Sequence, residues 1–273
     1  MEHIGNSLAK GEYFQPRNNA KAPLAILIHG WGDRSLIPCK LLARSLAKRG
    51  IACFILYLVF HSSRLPEDMK KRLPRLTAEE WFNSYQLSVI DVRQIVDWAG
   101  TREDIDARHI AVVGISLGGF VSAIAMGVDG RITSGVFLVA GGNSEKMMHK
   151  SRLSSFRKDY RRTDSEYAEL QNLYMQYINE VAKKGFENVI PPRRSFLTDP
   201  LTFASRIRER PILMLNALWD EIIPKEATMD FWEACGKPQI KWFPATHASI
   251  WLWYPLISRE IADFLNQNLR NRS

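Results

Sequence analysis

A serine lies within a glycine-rich segment near the middle of the chain, Gly114-Ile115-Ser116-Leu117-Gly118, which a further glycine follows. The segment comes directly after an apolar run that favours a strand, and it opens residues 117–126, which favour a helix. A serine on such a sharp turn has a strained backbone, and small neighbours prevent clashes. The helix N-terminus also favours developing negative charge. The pattern predicts that Ser116 is a nucleophile; the alternative is a turn that only packs helix and strand closely.

A serine hydroxyl is a weak nucleophile and needs a general base. Of the six histidines, His247 follows a predicted strand near the end of the sequence and precedes the last predicted helix. Because loops at the carboxyl ends of parallel strands meet at one edge of a sheet, His247 is expected to reach Ser116. His109 precedes its strand and is expected at the opposite edge. A lone histidine is more often structural, but its position favours His247 as the base.

The acid that orients the base is expected on another loop at the same edge. Asp220 follows the predicted strand at 212–215, and the chain order of serine, aspartate and histidine is one found in serine enzymes. Glu221 is the adjacent competitor for this role, and Asp199 is a distant one. Order and loop position favour Asp220 over an ordinary surface acid.

Acyl transfer also needs hydrogen-bond donors for the oxyanion. The backbone N–H of Leu117, directly after the serine, is one predicted donor. The second is the N–H of Trp31 in the loop His29-Gly30-Trp31-Gly32-Asp33, because glycines on both sides let the backbone turn inward. His29 is expected to form hydrogen bonds within this loop and to have no role in proton transfer. Asp33 is interpreted as a loop cap.

The elements that must position these residues alternate along the chain. Short apolar runs favour strands at 24–28, 51–58, 110–113, 136–139, 212–215 and 240–243. Helical periodicity is found at 38–49, 79–99, 117–126, 225–235 and 255–269. Strands that are apolar throughout are typical of a parallel sheet buried on both faces. The sequence therefore predicts an α/β fold, with a mostly parallel sheet flanked by helices.

One region interrupts this alternation. Residues 143–205 contain no convincing strand, and they favour a helix at 164–184 and a shorter basic helix around 146–160. A long insertion between two core strands is too long for an ordinary loop and is often a functional lid. The predicted organisation is a core formed by residues 1–142 and 206–273, with 143–205 as a helical cap.

The composition limits the classes of function. The net charge of +8 is concentrated at 146–162 and 191–210, and it is interpreted as a solvated basic face because no nucleic-acid signature accompanies it. The longest apolar run, 51–60, is too short to span a bilayer. We therefore expect no nucleic-acid partner and no integral membrane segment, while the sequence leaves a homodimer open.

Cysteine usage bears on the compartment. The three cysteines, Cys39, Cys53 and Cys235, are odd in number and widely spaced, which fits neither a disulfide framework nor a metal site. The first twenty residues lack the apolar stretch of a signal peptide. Reduced thiols and a cytoplasmic location are the prediction.

Taken together, these motifs resemble the α/β-hydrolase superfamily over residues 22–268. The residues that carry the resemblance are His29-Gly30-Trp31-Gly32, the segment 114–119, Asp220 with Ile223-Pro224, and Thr246-His247. They look most like capped carboxylesterases and dienelactone-hydrolase-like or prolyl-oligopeptidase-like single-domain hydrolases. The resemblance implies a Ser–His–Asp enzyme with an acyl-enzyme intermediate and no cofactor. Ala217 and Thr246 stand where the family often has glycine, which leaves the subfamily and the substrate open.

The predicted substrate is a small carboxylic ester. Met147 and Met148 of the cap, together with Trp219 and Trp251, are expected to line an apolar pocket. Basic residues of the cap would attract an anionic substrate. The same triad can act on thioesters, amides, peptides or carbon–carbon bonds, which the sequence does not separate. Two alternatives of other classes are a non-catalytic binding protein with this fold and a nucleic-acid or membrane-surface binder that uses the basic cap.

Overall fold

The computed structural model describes residues 8–17, 21–61, 64, 76–152 and 162–270. These residues form a seven-stranded sheet in the order β1-β3-β2-β4-β5-β6-β7. The strands are β1 Gly11–Phe14, β2 Ala22–Ile28, β3 Ala52–Leu56, β4 Ile105–Ile115, β5 Ile132–Leu138, β6 Ile212–Ala217 and β7 Gln239–Phe243. Only β1 pairs antiparallel, with β3, and the other pairs of strands are parallel. The predicted α/β class and the mostly parallel sheet are confirmed.

Helices cover both faces of the sheet. The α-helices of the described residues are α1 Ile37–Lys48, α2 Ala78–Gly100, α3 Leu117–Val128, α4 Ser144–Lys150, α5 Asp164–Lys184, α6 Ala204–Ile207, α7 Lys225–Ala234 and α8 Tyr254–Arg270. Helices α2 and α3 pack on one face, in a core cluster with alternate residues of β2 and β4. Helices α1 and α8 pack on the other face, in a second cluster. All residues of β2 are buried, which explains why this strand is apolar without alternation.

The chain changes direction across the sheet between β2 and β4. It passes from β2 to β3 on one side, and then crosses to β4 on the other side of β2. In open α/β sheets, ligands bind at the carboxyl ends of the strands beside such a reversal. The loop after β2, which contains Trp31, and the turn after β4, which contains Ser116, are therefore neighbours at this edge.

The predicted elements are largely confirmed, with two differences. Strand β1 was missed because it is a four-residue edge strand, and none of its residues is fully buried. Strand β4 begins at Ile105, earlier than predicted, in a polar stretch. Within α1, the apolar Leu41 is exposed, whereas Cys39 is buried.

The described part of 143–205 contains helices and no strand. Helix α5 has the predicted bounds and begins with a capping box, in which Thr163 and Glu166 satisfy each other's backbone N–H groups. The predicted shorter helix is found as α4, and its predicted continuation over 153–160 lies outside the described residues. Buried residues of α5, including Tyr174, share the core cluster of α2 and α3. The division into core and cap remains a prediction.

Two further features are the character of the helices with respect to a membrane and the state of the cysteines. Within the ranges given above, no helix has both the length and the apolar character needed to cross a membrane. Cys39, Cys53 and Cys235 are buried and form no disulfide, and burial raises the pKa of each of these thiols.

Candidate active site

Ser116 occupies the turn between β4 and α3. Its backbone has φ 52° and ψ −118°, a conformation that costs an ordinary residue about 1–3 kcal/mol. The turn is held in place because the Ser116 N–H donates to the carbonyl of Leu138 over 2.8 Å, and the Ser116 carbonyl accepts from Gly119 over 2.8 Å. The strain is imposed by the sheet on one side and by the helix on the other.

The turn requires glycine on both sides of the serine. A Cβ atom at Gly118 would lie 2.1 Å from the carbonyl oxygen of Ile28 in β2. A Cβ atom at Gly114 would lie 2.2 Å from the carbonyl oxygen of Gly118. Both neighbours are backbone atoms that cannot move aside cheaply, so these glycines let α3 start directly against the sheet.

Ser116, His247 and Asp220 form one line of hydrogen bonds. The Nε2 atom of His247 lies 3.0 Å from the Oγ atom of Ser116. The Nδ1 atom of His247 lies 2.8 Å and 3.0 Å from the two carboxylate oxygens of Asp220. A carboxylate only accepts, so Nδ1 carries the proton and Nε2 is left as the acceptor for the serine hydroxyl. The side chain of His247 is 13% exposed and that of Asp220 is 5% exposed, which shields the line from water.

Backbone groups fix the acid and the base. One oxygen of Asp220 accepts the N–H groups of Ile222 and Ile223 over 2.9 Å and 2.8 Å. Glu221, the adjacent competitor, accepts the backbone N–H of His247 over 3.2 Å. Glu221 therefore contacts the histidine loop, whereas Asp220 contacts the imidazole.

Asp199, the distant competitor, has a different environment. Its buried carboxylate accepts the N–H groups of Asn143 over 3.0 Å and of Leu201 over 2.9 Å, and also that of Ser144. Burial raises the pKa of Asp199, while these N–H groups act in the opposite direction. The residue thus ties the start of α4 to the segment after α5.

The two predicted oxyanion donors lie beside the serine. Leu117 is the first residue of α3, so its N–H has no acceptor within the helix. The Trp31 loop passes directly over the turn, since a Cβ atom at Gly30 would lie 3.4 Å from the Cβ atom of Ser116. Neither the Leu117 nor the Trp31 N–H donates to another described residue. Both N–H groups are thus without an acceptor among the described residues.

Two buried histidines hold the Trp31 loop. His29 bonds the Gly30 carbonyl through Nδ1 over 2.9 Å and accepts the Leu58 N–H through Nε2 over 3.2 Å. His61 accepts the N–H of Gly32 through Nε2 over 3.0 Å. Each imidazole is a neutral tautomer with one donor and one acceptor. Burial lowers the pKa of His29, and it lowers the pKa of His61 to about 4. The expected role of His29 within the loop agrees with these bonds.

His61 was not predicted from the sequence as part of this region. It reaches the Trp31 loop from the segment after β3, through its Nε2 atom. Its other ring nitrogen, Nδ1, bonds the carbonyl of Val59 over 2.9 Å. The signal that was available is its position directly beyond the carboxyl end of a core strand. Nearby, Arg64 donates to the Tyr57 carbonyl over 2.9 Å and forms a buried ion pair with Asp91 of α2, which anchors the segment.

A chain of aromatic rings leads away from the Trp31 loop. The Trp31 ring packs edge-on against His61 at 5.0 Å and against Trp81 of α2 at 4.8 Å. Trp81 in turn packs against Tyr85 at 5.6 Å. Trp81 lies in the stretch 79–99 that was predicted only as a helix. The structure places it beside the predicted site.

Two cavities flank this region. One, of about 430 Å³, is lined by Met147 and Met148 together with Trp81, which agrees with their predicted position in a pocket. The other, of about 650 Å³, is lined by Trp219 beside Asp220. Trp251 lines neither of these cavities, and instead packs against the core cluster under α8, which differs from its expected position.

Other residues of the sequence analysis lie away from the serine. His109 bonds Asp106 toward the amino end of β4, as its position before the apolar run indicated. Asp33 accepts the N–H groups of Ser35 and Leu36, which agrees with a loop cap. Among the residues placed in the structure, no cluster of three or more His, Cys, Asp and Glu side chains suits a metal ion.

Solved structures with a similar fold include hydrolases of two kinds. A PEG-bound cold-adapted esterase from an Arctic intertidal metagenomic library is 15% identical, with 96% of this chain and 89% of that chain covered and a TM-score of 0.61. Est1E from Butyrivibrio proteoclasticus, with ferulic acid bound, is 17% identical, with 95% of each chain covered and a TM-score of 0.62. The acylaminoacyl peptidase of Pyrococcus horikoshii is 16% identical, with 97% of this chain but 40% of that chain covered and a TM-score of 0.67. At these identities the similarity concerns the fold alone.

Comparison with curated protein sequences gives no match. The family model for the alpha/beta hydrolase fold, in contrast, matches residues 23–175, which is more than half of the chain. The matched range contains the Trp31 loop and the Ser116 turn. The sheet order, the helices on both faces and the position of that turn agree with this match. The chain belongs to the alpha/beta hydrolase fold family.

Proposed function

We propose that this protein is a serine hydrolase that cleaves small carboxylic esters through an acyl-enzyme intermediate. Ser116 is the nucleophile, His247 the general base and Asp220 the acid that orients it. The observation that carries the proposal is the continuous line of hydrogen bonds from the Asp220 carboxylate through His247 to the Ser116 hydroxyl. The strained backbone turn at Ser116 supports the same proposal, because it holds the serine in this line of hydrogen bonds.

In the acylation half of the reaction, Ser116 Oγ attacks the ester carbonyl while Nε2 of His247 takes its proton. The carbonyl oxygen becomes an oxyanion that the N–H groups of Leu117 and Trp31 stabilise. Asp220 stabilises the imidazolium through its bond to Nδ1. His247 then gives the proton to the leaving alcohol as the ester C–O bond breaks, which leaves the acyl group on Ser116.

In the second half, water attacks the acyl-enzyme carbonyl and gives its proton to His247. The same N–H groups hold the second oxyanion, and its collapse releases the carboxylic acid. The proton returns from His247 to Ser116 Oγ, so the enzyme regains its starting state. None of these steps calls for a cofactor.

Residues 143–205 are proposed to act as a cap over the acyl-binding cavity. The support is that Met147 and Met148 of α4 share a cavity with Trp81, whose ring contacts Trp31 of the oxyanion loop. The wall that these residues form is mainly apolar and aromatic, which suits the acyl part of an ester.

The buried free thiols support a cytoplasmic location. A homodimer stays a prediction.

Hydrolysis of p-nitrophenyl acetate by the purified protein and by Ser116→Ala tests the proposal. We expect the variant to lose all but a trace of turnover while its melting temperature stays close to that of the wild type. A fluorophosphonate probe should label the wild type and not the variant. Retention of more than a few per cent of turnover by Ser116→Ala would contradict the assignment. A non-catalytic binding protein would show neither turnover nor labelling.

A panel of substrates identifies the class of bond that the protein cleaves. Esters of increasing acyl length, run beside matched thioesters and amides, rank the substrates by kcat/KM. We expect the esters to lead. A clear preference for amides or thioesters would keep the catalytic residues and replace the ester assignment.

A further inference from the structure

The cavity under α4 has cationic as well as apolar walls. Its apolar wall includes Trp81, Met147 and Met148, and its polar wall includes Arg193 and Arg194 at the start of the 3₁₀ helix Arg194–Thr198. The apolar wall adjoins the proposed oxyanion loop through the contact between Trp81 and Trp31. Arg193 and Arg194 thus line the same cavity that is proposed above for the acyl chain.

The carboxylates of the cavity already have partners or lie at its edge. Glu145 forms an ion pair with Arg162, and only 11% of its side chain is exposed. Asp199 accepts three backbone N–H groups. Glu79 lies in the first turn of α2, where the helix N-terminus stabilises a negative charge.

Arg193 and Arg194 have no such partner. Neither guanidinium forms a hydrogen bond or an ion pair with another described residue, and Arg193 affects Glu145 only through space. The Arg194 guanidinium lies over the Phe82 ring, 4.4 Å from its centroid, which holds it at the wall while its N–H groups stay free. Two unpaired guanidinium groups thus face the same cavity.

The cavity beside Asp220 provides a contrast. Lys150 there forms an ion pair with Glu226 over 2.9 Å, and Glu221 adds a further negative charge. Arg152 and Lys225 also line this cavity, but its apolar lining is confined to Leu218, Trp219 and Pro224. The cavity under α4 therefore combines cations with the larger apolar wall that an acyl chain needs.

We propose that the ester substrate carries a second, free carboxylate, which Arg193 and Arg194 bind at the far end of the acyl cavity. The substrate class is then a half-ester of a dicarboxylic acid. Guanidinium groups form paired hydrogen bonds with a carboxylate. The inference rests on the proposed esterase function and gives that function a substrate class.

Two p-nitrophenyl esters of equal length test the inference. One is the mono-p-nitrophenyl ester of adipic acid, which ends in a carboxylate, and the other is p-nitrophenyl 5-carbamoylpentanoate, which ends in a neutral amide. Spontaneous hydrolysis is subtracted with Ser116→Ala. We expect the wild type to prefer the carboxylate in kcat/KM by about fivefold or more, the ratio that a solvent-accessible ion pair supplies. The ratio should fall as salt screens the charges.

Arg193→Gln and Arg194→Gln should each lower this ratio, and the double variant should bring it close to one. Activity on the neutral ester should change little. Arg208→Gln is the matched control, because Arg208 is exposed and precedes β6 at the opposite edge of the sheet. It should leave the ratio unchanged, and melting temperatures verify that all variants fold.

The outcomes separate this inference from the proposed function. If Ser116 reacts with the fluorophosphonate and the neutral ester is hydrolysed, but the wild-type ratio is near one or survives the double substitution, the carboxylate site is wrong and the esterase stands. If neither ester is hydrolysed and Ser116 is not labelled, the proposed function itself fails. A stronger preference for a phosphate-terminated ester would overturn the carboxylate assignment.

Discussion

His61 accepts the backbone N–H of Gly32 over 3.0 Å, across 29 positions of the chain. The bond joins the segment after β3 to the loop after β2, and Gly32 has a positive φ of 72°, a conformation that glycine adopts without steric strain. Trp31, whose N–H is the proposed oxyanion donor, lies directly before this anchored glycine. The position of this proposed donor thus depends on an imidazole that lies outside the line of Ser116, His247 and Asp220.

Replacing His61 tests this positioning role. His61→Ala removes the acceptor and frees the Trp31 loop, and we expect kcat for a p-nitrophenyl ester to fall by about 10- to 100-fold, less than for direct loss of an oxyanion donor. The KM should change little, because the acyl cavity is untouched. His61→Gln offers a carbonyl oxygen for the Gly32 N–H and should restore most of kcat. Equal losses in both variants would instead assign the effect to ring packing against Trp31.

The same residue makes stability depend on pH. Burial lowers the pKa of His61 from 6.5 to about 4, so the unfolded chain binds this proton at a higher pH than the folded protein does. The stabilisation is therefore complete above pH 6.5 and is lost as the pH falls toward 4. His29 acts in the same direction.

Urea unfolding of the wild type and His61→Gln at pH 7 and pH 5 measures this effect. The free energy of unfolding of the wild type should fall by about 2 kcal/mol more than that of the variant between these pH values, because the wild type binds a proton at His61 on unfolding and the variant has no imidazole there. The comparison cancels the contributions of other titrating groups. An equal loss in both proteins would contradict the assignment.

The sequence predicts those features of the fold and site that a single short segment of the chain forms, and it predicts poorly those that need contacts between distant segments. The apolar runs and the helical periodicities are local, so the buried strands and helices around them were predicted within a few residues. Strand β1 was missed because Gly11–Phe14 forms an edge strand that is only partly buried and carries no apolar run. Ser116, Asp220 and His247 were placed together because parallel strands all end at one edge of the sheet.

What could not be predicted depends on contacts between distant segments. His61 and Trp81 reach the Trp31 loop from elsewhere in the chain. The position of His61 beyond the carboxyl end of a strand indicates the edge of the sheet where it lies, but no local pattern indicates its contact with Gly32 or that of Trp81 with Trp31. Arg210 lies in a stretch interpreted as a solvated basic face. Instead, Arg210 is only partly exposed, and its guanidinium donates to the carbonyls of Asp129 and Ile132, at the end of α3 and the start of β5. Charge composition alone does not distinguish such a structural cation from a surface one.

Asp220 and Asp199 should respond in opposite ways to the same substitution. Asp220→Asn preserves the shape but removes the charge that stabilises the imidazolium, and we expect kcat to fall by about 10³- to 10⁴-fold with little change in melting temperature. Asp199→Asn places an amide NH₂ against backbone donors, and we expect a loss of stability of about 1–3 kcal/mol with kcat largely retained. Esterase assays and thermal melts of both variants measure the contrast. Loss of turnover in a folded Asp199→Asn protein together with an active Asp220→Asn protein would exchange their roles.

Glu221 provides a third comparison within the acid loop. Glu221→Gln keeps an acceptor for the His247 N–H, so the histidine loop should stay in place and kcat should change by no more than about threefold, since a surface substitution of this kind has a small effect. The pH profile of kcat/KM should keep its shape. A loss of turnover comparable to that of Asp220→Asn would identify Glu221 as the orienting acid.

Gly118 and Gly130 form a matched pair for the strained turn. In Gly118→Ala the new Cβ atom meets the Ile28 carbonyl at 2.1 Å, so α3 must move away from β2 and Ser116 moves with it. We expect a loss of stability of about 1–3 kcal/mol, as for overpacked sites, and a fall in kcat well beyond tenfold. In Gly130→Ala the new atom meets nothing within 4 Å, so stability and kcat should stay near those of the wild type. Thermal melts and ester hydrolysis distinguish the two, and wild-type activity in Gly118→Ala would show that the serine does not depend on this close approach.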